Sequence, residues 1–112
     1  MSNFNPQNPG EYGKILGAAK LQALWKEYLS AAAAAWAQIP EAKTDELRIF
    51  FHRWRSSSLV FGMEDFAAIC AQIEEAILSH HFNKVPDLVA RSKICFDNGV
   101  KAVETYLSKL EI

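Results

Sequence analysis

The sequence has few of the residues that break helices or cross-link small folds. Its 112 residues include only five glycines, four prolines and two cysteines. Glycine and proline are the strongest helix breakers, so their scarcity favours helices. Two cysteines are too few for a disulfide scaffold. Because Cys70 and Cys95 both lie within apolar helical patterns, we interpret them as small core residues rather than as a redox pair.

The sequence also lacks an excess of either charge and any long apolar run. It carries 12 basic and 13 acidic residues, whereas a nucleic-acid-binding protein normally has a basic excess. No stretch approaches the roughly 18 uninterrupted apolar residues of a membrane span, and the polar N-terminus has no apolar core of a signal peptide. We therefore expect a cytoplasmic protein that binds neither nucleic acid nor membrane.

The apolar residues that are present recur at helical spacing. Residues 1–12 contain Pro6, Pro9 and Gly10 and are expected to form a loose tail, with residues 13–112 as one domain. Apolar positions at intervals of three and four then predict four helices, at residues 13–39, 44–61, 63 to about 80, and 86–110. Because short connections join them, we predict an all-α, antiparallel four-helix bundle. Gly17 would separate a short additional N-terminal helix from the first long one.

The second predicted helix carries the least ordinary combination of side chains. On a helical wheel one face is predicted to point to the core, and His52 points about 140° away from it. The residues of that face are Leu47, Phe50, Phe51, Trp54, Ser58 and Phe61, whereas Ile49, Leu59 and Val60 are apolar residues outside it. Arg48 and Arg55 lie one turn on either side of His52, and Ser56 and Leu59 complete the exposed face. A neutral imidazole offers a nucleophilic ring nitrogen, and nearby arginines would offset the charge of a phosphate. The alternative is an ordinary surface histidine on a charged helix face.

The stretch from His52 to Gly62 reads HRWRSSSLVFG. It resembles the signature of histidine phosphotransfer (Hpt) domains, in which a basic residue, small residues and a glycine follow the phosphoaccepting histidine. Arg55 is the basic residue three positions on, and Gly62 is the glycine ten positions on. The small residues are Ser57 and Ser58. The apolar stripe of the next helix continues the resemblance, with Phe66, Ile69 and Ile73.

The resemblance implies a phosphocarrier rather than an enzyme. His52 would accept a phosphoryl group from a receiver-domain aspartate and pass it to a response regulator, with Arg55 and Ser56 around the phosphate. Arg48 and Leu59 would contact the partner. Phosphoryl transfer needs Mg²⁺ and an acidic pocket, which the receiver would supply, so no cofactor is expected in this chain. The implied partners of this expected monomer are a response regulator receiver domain and a hybrid sensor histidine kinase.

Two residues depart from the family pattern. Ser56 stands where the family usually has Gly, and Arg55 replaces the usual Lys with a planar guanidinium. The alternative function is therefore an adaptor that binds a receiver or kinase stoichiometrically, without phosphorylation of His52.

The remaining histidines do not indicate a metal site. His80 and His81 are adjacent, so they face different sides of a helix and cannot readily share a metal. Cys70 lies about ten residues earlier, which is not a zinc-ligand spacing. We therefore expect no metal.

Overall fold

Five α-helices joined by short turns make up the fold. The structure is a computed structural model that describes residues 4–110. The helices are α1 (Gln7–Leu16), α2 (Ala18–Gln38), α3 (Thr44–Val60), α4 (Glu64–Leu78) and α5 (Val85–Ser108), with 3-10 turns at Ile39–Glu41 and Phe82–Lys84. No strand occurs within this range, so the predicted all-α class is confirmed.

The N-terminus differs from the prediction. Within the described residues of the expected loose tail, 1–12, helix α1 already begins at Gln7, and Pro9 is buried. A proline is tolerated in the first helical turn because its missing N–H would have no partner there. The Asn5 side-chain oxygen accepts the Gln7 N–H at 3.0 Å and helps to start the helix. The predicted short leading helix is therefore present but begins earlier than expected, and Gly17 follows its end.

The residues before α1 are bound to the turn between α3 and α4. The Asn5 N–H donates to the Gly62 carbonyl at 2.8 Å, and the Asn5 amide donates to Glu64 at 2.9 Å. The Asn8 amide donates to the Leu59 carbonyl at 2.8 Å. The N-terminal segment thus adds a second hydrogen bond to a carbonyl group in the last turn of α3 and to one in the turn that follows it.

Helix α3 ends in a turn that requires a glycine. Gly62 has φ 75°, and its N–H donates to the Leu59 carbonyl while the Met63 N–H donates to the Ser58 carbonyl. These two bonds form a Schellman motif, in which the residue with positive φ is usually glycine. A Cβ atom at Gly62 would also lie 2.0 Å from the Asn5 carbonyl oxygen. The turn therefore needs glycine for both its conformation and its contact with the N-terminal segment.

The core is rich in aromatic rings. Trp54 on α3 packs against rings from three other helices, with centroid distances of 4.9 Å to Trp36, 5.7 Å to Phe66 and 6.3 Å to Phe96. One buried hydrogen bond, 2.7 Å long, joins the hydroxyl groups of Tyr28 and Ser58. These contacts link α2, α4 and α5 to the same face of α3.

The face of α3 that was predicted to be apolar is the face that points inward. Phe51, Trp54, Ser58 and Phe61 are buried, whereas Leu47 and Phe50, also predicted for that face, are only half-buried. Helix α3 packs along α4, and α4 packs along α5.

None of the helices within residues 4–110 combines the length and apolar character that crossing a membrane requires.

Replacement of Gly62 by alanine is expected to destabilise the protein by about 2 kcal/mol or more, because an L-residue there is both strained and in steric conflict with Asn5. Gly13→Ala is the matched control. Its Cβ would lie 3.5 Å from a Leu21 methyl group, an ordinary contact, so it should stabilise by up to about 1 kcal/mol. Urea unfolding measures both. Equal effects of the two substitutions would contradict this account of the turn.

The two thiols should react with a thiol reagent at very different rates. Burial raises the pKa of the Cys70 thiol, and burial with the nearby charge of Asp65 raises the pKa of the half-buried Cys95 thiol. Since the thiolate is the reactive form, we expect slow modification of Cys95 by Ellman's reagent in the native protein. Cys70 should react only when the protein unfolds. Cys95→Ser should abolish the slow modification that occurs in the native protein. Fast reaction of both thiols in the native protein would refute the buried position of Cys70.

Candidate functional site

His52 projects from the outer face of α3. Its side chain is 65% exposed, while Phe51 and Trp54 on the opposite side of the helix are buried. The start of α3 is fixed by Glu46, whose carboxylate accepts the Lys43 N–H at 2.9 Å. The helix is thus held at its first turn and along its inner face, and this places the imidazole in solvent.

One nitrogen of the imidazole is held by an acidic side chain of the neighbouring helix. His52 Nδ1 lies 2.8 Å from Glu74 Oε2 on α4. An ionised carboxylate can only accept a hydrogen bond, so Nδ1 carries the proton. In the neutral ring, Nε2 then keeps its lone pair, and no residue within the described range forms a hydrogen bond with it. The pair therefore leaves one exposed, unprotonated ring nitrogen.

Glu74 is placed by the core of α4. Cys70, Ile73 and Ile77 are buried, and Glu74 follows Ile73 on the flank of that stripe, with its side chain 15% exposed. Sequence reasoning missed this residue. The available signal was that Glu74 lies four residues after the buried Cys70, on the helix that follows α3. A helical wheel of one helix does not show which side chains of a neighbouring helix it contacts.

The arginines around His52 have no acidic partner among the described residues. No ion pair within residues 4–110 involves Arg48, Arg53 or Arg55. Arg55 is exposed and Arg48 is half-buried, and helical spacing puts both on the side of α3 that carries His52. Their charges remain available for an anion or for an acidic surface.

The other predicted site residues occupy three different environments. Ser56 is exposed one turn after His52, and Leu59 is half-buried another turn along. Gly62 is buried in the turn that ends α3. The structure therefore brings Ser56 and Leu59 to the His52 side of the helix. Gly62 instead forms the backbone turn after α3, away from the imidazole.

The remaining candidates stay apart from this site. His80 and His81 are exposed beyond the end of α4. No cluster of three or more His, Cys, Asp or Glu side chains suited to a metal ion occurs in the described part of the chain. The imidazole of His52, with its carboxylate and arginines, is the chemically distinctive group.

Comparisons of the chain with protein-family models, with curated proteins and with solved structures find no match.

The His52–Glu74 pair should contribute little to stability. A single hydrogen bond typically contributes about 1 kcal/mol net to stability, so we expect His52→Gln and Glu74→Gln each to change the free energy of unfolding by about 1 kcal/mol or less. Glu75→Gln is the matched control, because Glu75 is adjacent but accepts a hydrogen bond from Ser79 instead. Urea unfolding measures all three. A large loss specific to the His52 or Glu74 variant would mean that the pair has a structural role.

Proposed function

We propose that the protein is a histidine-containing phosphotransfer protein of a two-component phosphorelay, with His52 as the phosphoacceptor. The observation that carries this proposal is the hydrogen bond between His52 Nδ1 and Glu74, which leaves Nε2 as a nucleophile in solvent. A neutral ring nitrogen with a free lone pair is the form that attacks phosphorus.

Transfer of the phosphoryl group to His52 needs no general base from this chain. The Nε2 lone pair forms the new N–P bond while the bond from phosphorus to the receiver's aspartyl oxygen breaks, and the aspartate leaves as a carboxylate. The ring gains a positive charge because Nδ1 keeps its proton. Glu74 accepts that N–H and offsets the charge, which stabilises the product and the transition state that leads to it. Return of the phosphoryl group to a second receiver reverses these changes.

The surface around His52 suits an acidic partner. Arg48 and Arg55 have no ion-pair partner among the described residues, so they can face the acidic pocket of a receiver domain. That pocket would also hold the Mg²⁺ that phosphoryl transfer requires. Ser56 and Leu59 would lie in the contact, with Ser56 small enough for close approach. The protein would act as a carrier between a hybrid sensor histidine kinase and a response regulator, not as an enzyme.

The proposal includes the arrangement of the helices and the setting in which the protein works. Helices α2, α3, α4 and α5 would form an antiparallel four-helix bundle, with α1 as the short additional helix. We propose a cytoplasmic monomer, since the partners in such a relay meet the protein by diffusion.

The experiment that tests the proposal is transfer from a receiver domain. Receiver domains from the same organism are phosphorylated with acetyl phosphate and mixed with the full chain, and acid-labile phosphate on the protein is followed. We expect at least one receiver to transfer, and His52→Gln to abolish the signal. His80→Gln and His81→Gln are matched controls that should retain it. Transfer that survives in His52→Gln would contradict the assignment.

The phosphate environment predicts a smaller effect for Arg55. A phosphorylated His52 gains close to two negative charges, and an arginine one turn away can donate charge-assisted hydrogen bonds to them. Because Arg55 is exposed and solvent screens its interaction with the phosphate, Arg55→Ala should slow transfer several-fold without abolishing it. Arg91→Ala, at an exposed arginine on α5, should leave the rate unchanged. An unchanged rate and phosphohistidine lifetime in Arg55→Ala would make Arg55 an ordinary surface charge.

A second candidate function is an adaptor that binds a receiver or kinase without being phosphorylated. The exposed hydroxyl of Ser56, at a position that is usually glycine in Hpt domains, favours it because added bulk beside the imidazole hinders close approach of the partner's aspartate. Stoichiometric binding with no acid-labile phosphate would support the adaptor. Appearance of transfer in Ser56→Gly alone would show that the serine suppresses the relay.

A further inference from the structure

An open groove of about 520 Å³ lies between the N-terminal segment and the second half of α5. Phe4 and Pro6 line it on one side, and residues of α5 and its C-cap, from Lys101 to Lys109, line it on the other. His52 is not among the lining residues. The groove and the proposed phosphoacceptor are therefore separate surfaces.

The N-terminal side of the groove is held in place. Asn5 lies between the two lining residues of this segment, and its N–H donates to the Gly62 carbonyl at 2.8 Å. The Phe4 ring packs against the Tyr106 ring of α5, with centroids 5.8 Å apart. The groove thus has an aromatic centre whose position is fixed by contacts with the rest of the fold.

The charged residues that line the groove are all basic. Lys101 and Lys109 are exposed, and neither forms an ion pair with a described residue. No acidic side chain from the described residues lines the groove. Glu104 and Asp65, which are close in the fold, line two other cavities instead. The local potential is therefore positive and favours an anionic ligand.

The two lysines have a separation that an extended peptide can match. They are eight residues apart on α5, which corresponds to about 12 Å along the helix axis. In an extended chain, alternate side chains point to the same side, and residues four positions apart are separated by about 13 Å. Acidic residues at the first and fifth positions of such a segment can therefore each contact one lysine.

The centre of the groove suits an aromatic side chain. Ala102 lies one turn before Tyr106, and its methyl group leaves space beside the Phe4 and Tyr106 rings. The third residue of the extended segment would point into this space. Tilted contacts between aromatic rings add to the free energy gained from burial of their area.

We propose that this groove binds an extended acidic segment of a partner protein, in which two acidic residues flank an aromatic residue at alternate positions. The two carboxylates lie against Lys101 and Lys109, and the aromatic side chain packs against Phe4 and Tyr106. A small anion would contact only one of the lysines, whereas this segment uses both lysines and the rings between them. The surface is independent of the phosphotransfer proposal.

An NMR titration of the full chain with the end-capped peptide Gly-Glu-Ser-Phe-Ser-Glu-Gly tests the proposal. We expect saturable shifts of backbone amide signals at Phe4 and along 101–109. Lys101→Gln and Lys109→Gln should each weaken binding about three- to fivefold, the effect of one exposed ion pair. Lys26→Gln, at an exposed lysine of α2, is the matched control and should leave the affinity unchanged.

Changes to the peptide test the spacing without any change to the protein. Gly-Glu-Glu-Phe-Ser-Ser-Gly has the same composition, but its adjacent glutamates cannot reach both lysines, so it should bind about threefold more weakly or worse. Replacement of the phenylalanine by serine should weaken binding on the order of tenfold, because the aromatic contact is lost.

Three results would overturn the proposal: no saturable binding, equal affinity for the two peptides of the same composition, or unchanged affinity in both lysine variants. Inorganic phosphate that shifts the same signals with equal affinity would show a general anion site instead. Tighter binding of a thymidine hexanucleotide than of the peptide would likewise overturn it in favour of a nucleic-acid surface.

Discussion

The rotation of α3 about its own axis is the constraint on which the site depends. Phe51, Trp54 and Ser58 lie on one side of the helix. The Trp36 ring of α2 packs against both Phe51 and Trp54, and the Tyr28 hydroxyl of α2 forms a hydrogen bond with Ser58. Interiors are packed too closely for such a helix to turn without leaving voids. Because the inner face is fixed in this way, the outward position of His52 and of the arginines on its face follows from it.

The second requirement is the position of α4 relative to α3. The Gly62 turn reverses the chain within three residues, and the bonds from Asn5 and Asn8 hold that turn from outside. Helix α4 can then run back beside α3, so that Glu74 reaches His52 although they are 22 residues apart in sequence. The chemistry of the imidazole is therefore set by a backbone turn and not only by the residues around it.

Much of this could be predicted from sequence because it is local. The spacing of apolar residues predicts α3, α4 and α5 and the inner face of α3, and the helix that it predicts over 86–110 includes Gly99, which lies within α5. That glycine has a packing reason, since a Cβ atom there would lie 2.6 Å from the Met63 side chain. The start of α1 differs from the prediction because Pro6, Pro9 and Gly10 together indicate a loose tail, whereas a proline in the first helical turn costs no hydrogen bond.

The features that sequence reasoning did not find are contacts between helices. Glu74 looks like any surface carboxylate until α4 is placed beside α3. An open cavity of about 630 Å³ between α1, α2 and α3 also cannot be predicted from one helix, because it depends on alanines of α2 that face large side chains of α3. Periodicity predicts which face of a helix is buried, but the azimuth and separation of its neighbours come from packing.

The central claim is that Glu74 holds the proton of the His52 ring on Nδ1 and leaves Nε2 free. Long-range proton–nitrogen correlation spectra, recorded at alkaline pH where the imidazole is neutral, report the tautomer of each histidine, and His52→Gln assigns the signal. The account predicts the Nδ1–H tautomer for His52 in the native protein and a shift toward Nε2–H in Glu74→Ala. A His52 ring that is protonated on Nε2 in the native protein, and unchanged in Glu74→Ala, would contradict it.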